Sequence, residues 1–254
     1  MTPADVAVCV PSWGRPDLMD RFLASLHESP CSAVYWLQNE AGRERAAFDE
    51  LETRVADNVE VFRSAENLGA AGGTNYLVER ALADGHEWLA LCDDDIMVGV
   101  DTFARIVAQT PEQAAVSGCV TSRGGLQTWD RVEQRHDGLL SRDRGEPIEH
   151  YDERLRQRGE RRWEILPAKA VAFSLVLVPA AAWRDIGPLD DSFGVAFGED
   201  NDWCHRARLA DWQVGYTTEV AVHHDHGGST TSEQNQKLRA VSARRVRDKW
   251  GRNV

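Results

Sequence analysis

A chain of 254 residues, 42% of them hydrophobic, is long enough to build one large domain or two small ones around a substantial core. Its formal net charge of −12 at pH 7 argues against a nucleic-acid-binding protein whose affinity comes from a broad basic surface, although it is compatible with a locally basic groove. The composition therefore favours a folded domain over a disordered segment.

The cysteine usage and the hydropathy pattern indicate a cellular compartment. Five cysteines are present, an odd number, and none of them forms a C-x-x-C pair, which is typical of reduced thiols in a cytoplasmic protein. No apolar run approaches the ~20 residues that span a bilayer, and the N-terminus lacks the basic-then-apolar pattern of a signal peptide. We therefore expect a soluble, cytoplasmic protein.

Short apolar runs alternate with amphipathic stretches through the first half of the chain. This alternation predicts a parallel sheet with helices on its faces. The predicted strands are residues 6–10, 33–37, 59–62, 89–92 and 115–119, and the predicted helices are residues 43–54, 101–108 and two that begin at Pro16 and after Asn75.

Two loops in this half could contact a nucleotide. Residues 11–15 follow the first predicted strand, where open α/β sheets place their ligand crevice, and they offer Ser12 and Arg15. Residues 66–75 are small, which lets a ligand approach the backbone, but they form neither a G-x-G-x-x-G fingerprint nor a P-loop. An ordinary turn and tight helix–sheet packing are the respective alternatives.

Three carboxylates, Asp93, Asp94 and Asp95, directly follow the apolar run at residues 89–92. At the end of an extended segment, residues i and i+2 point to the same side, so Asp93 and Asp95 can face one ligand while Asp94 points away. Their oxygens suit Mg²⁺ or Mn²⁺, which commonly bring a substrate diphosphate with them. For the triplet by itself, a solvated acidic turn is an equally open reading.

The alternation stops at residues 121–164, which are charged, rich in arginine and without clear periodicity. We interpret this stretch as a specificity-determining insertion, with a surface excursion as the alternative. Beyond it, residues 170–178 predict a central strand, and residues 214–217 and 220–222 predict two short strands.

Two polar motifs lie in the second half. Residues 198–208 predict a helix with Asp200 as its N-cap, although acidic residues in a first turn also simply complement the helix dipole. His223, His224 and His226 end the last predicted strand and resemble a metal contact more than packed core histidines. They lack H-E-x-x-H spacing and no cysteine pair joins them, so a zinc-only site is weakly supported.

The tail at residues 233–250 predicts a basic amphipathic helix. Such a helix either touches an anionic membrane surface or is simply solvated. The first alternative would make the protein peripheral to the inner face of the membrane.

Taken together and in this order, these segments resemble the family 2 inverting glycosyltransferases with the GT-A fold, and the rhamnosyl- and galactofuranosyltransferase-like branches are the most similar. The match covers most of the chain, and each motif is weak alone, whereas five in the family's order are strong. The motifs are Val8-Cys9-Val10-Pro11-Ser12, the segment from Asn67 to Asn75, Asp93-Asp94-Asp95, the segment from Gly198 to Arg206, and Val222-His223-His224 ahead of Gly227-Gly228-Ser229.

The resemblance implies an α/β GT-A fold, in which a Rossmann-like, mostly parallel central sheet is flanked by helices and followed by a C-terminal acceptor-side region. Residues 1–254 would form a single glycosyltransferase domain. Residues 1–120 would be its nucleotide-sugar-binding half, residues 121–230 its acceptor and catalytic half, and residues 231–254 a basic C-terminal helix.

The resemblance also implies roles for individual residues. Asp200 would be the general base. Asp93, Asp95 and His224 would hold Mn²⁺ or Mg²⁺, with Asp93 on the cation or the ribose, His224 on the cation or the diphosphate, and His226 near enough in sequence to share that role. The nucleotide-sugar pocket would be lined by Pro11, Ser12, Arg15, Gln38, Asn39, Asn67, Gly72, Asp93, Asp94 and Glu199.

The chain departs from the family after the second strand, where an aspartate usually accepts a hydrogen bond from the base. Gln38 and Asn39 stand there instead. A glutamine can accept from a uracil or thymine N3–H and donate to a neighbouring carbonyl, so pyrimidine binding is retained. The sequence therefore predicts a bound nucleotide more firmly than it predicts which base that nucleotide carries.

The expected activity is metal-dependent, inverting transfer of a hexosyl or deoxyhexosyl group from a UDP- or dTDP-sugar to an acceptor hydroxyl. The acceptor is open among glycans, lipid-linked glycans, natural products and proteins, and a nucleic acid is the least expected. A nucleotidyltransferase acting on sugar phosphates is one alternative, although residues 11–15 contain no lysine. A non-catalytic nucleotide-sugar-binding module is the other, although both acidic motifs are present.

Overall fold

The computed structural model describes residues 5–40, 42–111, 113–121, 125–126, 166–168, 170–225 and 232–251. The predicted specificity insertion therefore lies largely outside the described residues, as do His226 and the Gly227-Gly228-Ser229 motif. Within those ranges, no helix combines the length and the apolar character that crossing a membrane requires.

Strands and helices alternate along most of the described chain. The strands are β1 (Val6–Ser12), β2 (Ala33–Gln38), β3 (Val59–Arg63), β4 (Trp88–Cys92), β5 (Ile96–Met97), β6 (Ala114–Thr121), β7 (Gly125–Leu126), β8 (Leu166–Pro167), β9 (Leu175–Pro179) and β10 (Gln213–His224). The helices are α1 (Pro16–Ser25), α2 (Arg45–Glu52), α3 (Gly69–Ala83), α4 (Thr102–Gln109), α5 (Ala180–Ile186), α6 (Glu199–Leu209) and α7 (Ser232–Trp250).

Seven strands form the central sheet in the order β3-β2-β1-β4-β9-β6-β10. Neighbouring strands are parallel, except that β9 runs antiparallel to both β4 and β6. The short β5 and β8 pair antiparallel with β10, and β7 pairs antiparallel with β6. The predicted α/β class with a mostly parallel sheet is confirmed.

Helices cover both faces of the sheet, which explains why most of its strands read as continuous apolar runs. Side chains alternate along β1, so that Ala7 and Cys9 join one core while Val6, Val8 and Val10 join the other. Helices α3, α5 and α6 cover the first face, and α1, α2 and α4 cover the second. The carboxyl ends of the parallel strands are therefore left to form one common edge.

Strand β1 continues two residues beyond its predicted end, through Pro11 to Ser12. A proline cannot donate to a strand ladder, but the pairing of β1 with β4 already ends at Cys9, whereas its pairing with β2 continues to Ser12. The ends of β1 and β4 therefore separate at Pro11. Such a separation of neighbouring strands is where open α/β sheets form a ligand crevice.

Two predicted starts of helices are wrong. The loop expected at residues 66–75 is largely helical, because α3 begins at Gly69, seven residues before the expected start. Gly69 has a φ of 72°, and a side chain there would collide with the backbone of Gly194. At α6, the N-cap is Gly198 and not Asp200, which is the second helical residue.

The strand predicted at residues 170–178 is wrong in its first half, because β9 begins only at Leu175. Ala170 and Val171 are nevertheless buried, since they pack into the core beneath α6. Their apolar character imitates that of a strand. The residues between Val171 and Leu175 are consequently available to line the cavity described below.

The two short strands predicted at residues 214–217 and 220–222 form the single strand β10. Its pairing with β6 shifts register between Thr217 and Ala221. A bulge of this kind places extra residues on one strand, which explains why the apolar pattern is interrupted there. The other predicted elements agree with the structure to within two residues at each end.

A buried carboxylate joins α7 to α6. Asp202 is fully buried and accepts hydrogen bonds from Arg206 Nε at 2.9 Å and from Trp250 Nε1 at 2.7 Å, while Lys249 Nζ lies 2.7 Å away. Lys249 also contacts Asp190 at 2.7 Å and lowers the pKa of that carboxyl to about 2. The far end of α7 is thereby held against the helix that carries Asp200.

We expect Asp202→Ala to lower the free energy of unfolding by about 3 kcal/mol, because removing one partner leaves the other charged groups of a buried network unpaired. Urea denaturation measures this. The matched control is Asp248→Ala, which removes a 66% exposed carboxylate paired with Arg244 and should change the stability by less than about 0.5 kcal/mol. Equal losses in the two variants would contradict the anchoring of α7 by Asp202.

Candidate active site

A cavity of about 700 Å³ opens at the carboxyl ends of β1, β2, β4 and β10. The loop before β9 and the face of α7 complete its walls. Its lining residues are Pro11, Ser12, Trp13, Arg15, Asn39, Asn67, Gly69, Ala70, Thr74, Cys92, Asp93, Asp94, Asp95, Ala172, Phe173, Ser174, Leu189, Val195, Ala196, Phe197, Glu199, Asp200, His224, Asn235, Leu238 and Arg239. The cavity therefore contains all but two of the residues predicted for the site.

Asp93, Asp95 and His224 form a group that could hold a metal ion, since one ligand atom from each lies within 4.8 Å of the other two. The antiparallel pairing of Ile96 with His224 brings the acidic loop to the end of β10, and Asp225 N donates to Asp95 O at 3.0 Å. His224 Nε2 lies 3.1 Å from Asp95 Oδ1. Two carboxylates and an imidazole are ligands that a divalent cation such as Mn²⁺ accepts.

The neighbouring histidine of β10 is directed elsewhere. Successive side chains of a strand point to opposite faces, and His223 Nε2 lies 2.8 Å from Asp225 Oδ1 instead. Asp225 also accepts from Arg21 of α1 at 2.5 Å. The structure thus brings His224, and not His223, into the candidate metal group.

The pKa values in this group reflect its crowding. Burial lowers the pKa of His224, but the hydrogen bond with Asp95 and the charge of Asp93 outweigh burial and raise it overall. Desolvation, followed by the charge of Asp95, raises the pKa of Asp93 to about 7, although His224 opposes the change. Ionising neighbouring carboxyls together is costly unless a positive charge lies beside them. Such a group is therefore suited to binding a cation.

Asp94 lines the same cavity but lies outside the metal group. Burial and the charges of Asp95 and Asp93 raise its pKa well above the ordinary value, whereas Arg15 and a backbone hydrogen bond from Trp13 lower it. The alternation predicted for the triplet therefore matches the geometry, with Asp94 turned toward the loop after β1.

Asp200 faces the cavity from the first turn of α6 and is 8% exposed. Its Oδ1 accepts from the backbone N–H of Asn201 at 2.7 Å and from Asn201 Nδ2 at 3.3 Å, which orients the carboxylate. The adjacent Glu199 has its pKa raised to about 8, first by burial and then by the charges of Asp200 and Asp93. Glu199 therefore responds to the charges of both Asp200 and Asp93, which places the start of α6 and the candidate metal group in one electrostatic environment.

The predicted nucleotide-side residues Pro11, Ser12, Arg15, Asn39 and Asn67 all line the cavity. Several of their polar atoms already have partners. The Ser12 hydroxyl accepts from Trp36 Nε1 at 2.7 Å, and Asn39 Oδ1 accepts from the N–H of Leu68 at 3.2 Å. These bonds fix the loops that would surround a nucleotide.

Gln38 and Gly72 are the two predicted residues that do not line the cavity. The Gln38 amide donates to Glu52 on α2, and its Oε1 is buried without a hydrogen-bond partner in the part of the chain that the structure describes. A side chain at Gly72 would meet only Leu68 Cβ, at 3.2 Å. Gly73 is the tighter position, because a Cβ there would approach Pro11 to 2.9 Å, so helix–sheet packing accounts for this glycine.

Several lining residues could not be found from the sequence. Trp13 donates to Glu40 at 2.6 Å, and the guanidinium of Arg43 lies 4.2 Å from the centre of its ring. Phe197 adds an apolar side chain to the lining, and Asn235, Leu238 and Arg239 come from α7. Trp13 belongs to a loop that the sequence had singled out, whereas the α7 residues reach the cavity through long-range contacts such as those of Lys249 and Trp250 with Asp202.

A family model described as glycosyltransferase like family 2 matches residues 3–243. The chain belongs to this family. No curated protein sequence matches the chain.

Two solved structures resemble this family 2 glycosyltransferase-like protein in fold. One is GalNAc-T7 with UDP, GalNAc and Mn²⁺, with a TM-score of 0.65 and 13% sequence identity over 96% of this chain and 48% of that chain. The other is S. aureus TarS 1–349, with a TM-score of 0.55 and 12% identity over 96% of this chain and 72% of that chain. The chain thus spans about half the length of the first relative, and the predicted GT-A fold is confirmed.

We expect Asp95→Asn and His224→Ala each to weaken Mn²⁺ binding to this family 2 protein by at least about tenfold, because each removes one ligand of a three-ligand group. Electron paramagnetic resonance of free Mn²⁺ measures the affinity. Asp49→Asn, which alters a half-exposed carboxylate on α2, is the matched control and should bind like the wild type. Unchanged affinity in both site variants would disprove the metal group.

The raised pKa of Glu199 predicts a pH-dependent stability in the presence of a chelator. Between its ordinary value and about 8, the folded protein binds a proton that the unfolded chain has lost, so stability falls as pH rises through this window. Glu199→Gln should therefore lose less stability than the wild type between about pH 5 and pH 8 in urea denaturation. Glu79→Gln, at an exposed position of α3, should follow the wild type; parallel profiles for all three proteins would refute the assignment.

Proposed function

We propose that the protein transfers a hexosyl or deoxyhexosyl group from a UDP- or dTDP-sugar to an acceptor hydroxyl, with inversion at the anomeric carbon and with Mn²⁺ or Mg²⁺ bound. The observation that carries the proposal is a single cavity in which the group of Asp93, Asp95 and His224 faces the Asp200 carboxylate. The two are close enough for the charge of Asp200 to raise the pKa of Asp93.

The donor nucleotide would occupy the end of the cavity formed by the loops after β1, β2 and β3. Arg15, Asn39 and Asn67 line this end, and Trp13 adds an aromatic surface. Gln38 would reach a base only by turning away from Glu52, so its predicted contact requires a rearrangement. The presence of UDP and Mn²⁺ in the GalNAc-T7 structure supports a nucleotide and a cation in a fold of this kind.

The cation, held by Asp93, Asp95 and His224, would supply positive charge that neutralises the departing nucleoside diphosphate. The chain's own residues orient the reactants. Arg15 lies on the nucleotide side beside Asp94, and the short pairing of β5 with β10 keeps the acidic loop and His224 together.

Asp200 would act as the general base. As the acceptor oxygen forms its bond to the anomeric carbon, the bond from that carbon to the donor phosphate oxygen breaks, and the acceptor proton moves to the Asp200 carboxylate. Asn201 holds that carboxylate in place. A single displacement of this type inverts the anomeric configuration.

The alternatives make less use of the site. A nucleotidyltransferase would leave Asp200 without a proton to accept, and a non-catalytic binding module would need neither Asp200 nor its orientation by Asn201. The acceptor would be a glycan, a lipid-linked glycan, a natural product or a protein. If the acceptor is a lipid-linked glycan, the basic face of α7 would contact the membrane surface.

We expect Asp200→Asn to lower kcat by about 10²–10⁴-fold, because a general base contributes about that factor, with nucleotide affinity within about threefold of the wild type. Release of UDP or dTDP from a panel of nucleotide sugars measures the activity, and NMR of the product measures the anomeric configuration. Asp211→Asn is the control, since this exposed residue has a φ of 62°, which asparagine tolerates. Full activity of Asp200→Asn, or a retained configuration, would contradict the mechanism.

A further inference from the structure

One wall of the cavity has no part in the proposed reaction. It combines Phe197, two residues before the start of α6, with Arg239 on α7. The guanidinium carbon of Arg239 lies 4.4 Å from the centre of the Phe197 ring, and both residues line the cavity. We call this pair the Phe197–Arg239 wall.

The backbone at Phe197 is held in an uncommon conformation. Its φ is 71°, in the left-handed region that bulky residues rarely adopt, and the nearby Gly194 and the following Gly198 also have positive φ values of 89° and 96°. Such conformations persist where the surroundings fix them, and they cluster at functional sites. Here the N–H of Ala70 donates to Val195 O at 3.0 Å, so the first turn of α3 holds the segment in place.

Arg239 has no carboxylate partner among the described residues, unlike Lys237 and Arg244 of the same helix. Lys237 pairs with Glu233 at 2.7 Å, and Arg244 approaches Asp248 at 3.5 Å. Arg239 forms no ion pair in the described ranges of the chain, although it lines a cavity that contains five carboxylates. Contact with the ring orients its planar group, which leaves its N–H donors for a ligand.

The position of the wall decides which ligand it would meet. Phe197 lies three residues before Asp200, the group proposed to deprotonate the acceptor. Arg15 belongs to the other end of the cavity, beside Asp94 and the loop after β1. The nucleotide side therefore has its own arginine, whereas Arg239 lies beside Phe197, close in sequence to the proposed base.

We propose that the Phe197–Arg239 wall is an acceptor subsite that selects an acceptor carrying an anionic group, a carboxylate or a phosphate, close to the hydroxyl that is glycosylated. This inference rests on the proposed function. The guanidinium binds the anion through paired, charge-assisted hydrogen bonds, and the Phe197 ring packs against the apolar face of the acceptor. The anion also supplies Arg239 with the counter-charge that the described chain does not.

The test uses three ligands that share one ring and differ only at C6, namely glucose, glucuronate and glucose 6-phosphate. Each is titrated by ligand-observed NMR into protein saturated with UDP and Mn²⁺. We expect at least one anionic sugar to bind about tenfold or more tightly than glucose to the wild type. A preference for glucuronate identifies a carboxylated acceptor, and a preference for glucose 6-phosphate identifies a phosphorylated one.

Variants assign that preference to the wall. Arg239→Gln should reduce the preference to within about twofold, and Arg239→Lys should retain part of it, because lysine keeps the charge but not the bidentate geometry. Lys237→Gln, at a position 74% exposed on the same helix, should behave like the wild type. The affinity for UDP should not change in any of the three.

Three results would overturn the inference: no preference in the wild type, an undiminished preference in Arg239→Gln, or a matching loss of UDP affinity in that variant, which would assign Arg239 to the donor diphosphate. If neither UDP nor dTDP binds to the wild type, the proposed function fails instead. The sugar titrations without nucleotide then still decide whether Arg239 selects an anion.

Discussion

Two backbone pairings hold the candidate site together, namely Met97 with His223 and Ile96 with His224. They join the loop after β4 to the end of β10, two segments that lie far apart in the chain. Without them, the carboxylates that follow β4 and the imidazole of His224 at the end of β10 would not be held next to each other. The register of this pairing, together with the alternation of side chains along β10, sets which histidine faces Asp95.

Electrostatics then determine what the site can bind. Asp93, Asp94, Asp95, Glu199 and Asp200 converge on one cavity, and the pKa values of Asp93, Asp94 and Glu199 are all raised. Carboxyls in such a place are stabilised by a cation, by a proton or by a cationic side chain. Arg15 and His224 offset part of this negative charge. The negative charge that is left favours the binding of a divalent cation. A bound divalent cation would lower these pKa values again.

The sequence predicted the fold class well, because strands covered on both faces are apolar throughout and their ends carry the polar residues. The resemblance to the family 2 glycosyltransferases implied that Asp93, Asp95, His224 and Asp200 share one site, and the structure brings all four to one cavity. The apolar character of Ala170 and Val171 misled the prediction, since core packing and strand pairing leave the same pattern.

The contribution of α7 could not be predicted, for a different reason. Its composition indicates a basic, solvated helix, and its inward face is narrow. The contacts of Trp250 and Lys249 with Asp202, an acidic residue inside an acidic motif, help to hold that face over the cavity. Gln38 is the opposite case. Its position at the end of β2 led us to expect a contact with the nucleotide base, but in the structure its amide donates to Glu52.

The anchoring of α7 also has a consequence for the order of events during synthesis. Arg206 emerges from the ribosome within a turn of Asp202, but Lys249 and Trp250 follow more than forty residues later. Until then, the buried carboxylate has only part of its final set of partners. The nascent sheet can therefore assemble while its ligand cavity still lacks one side, and that side closes only when the chain beyond α6 has been translated.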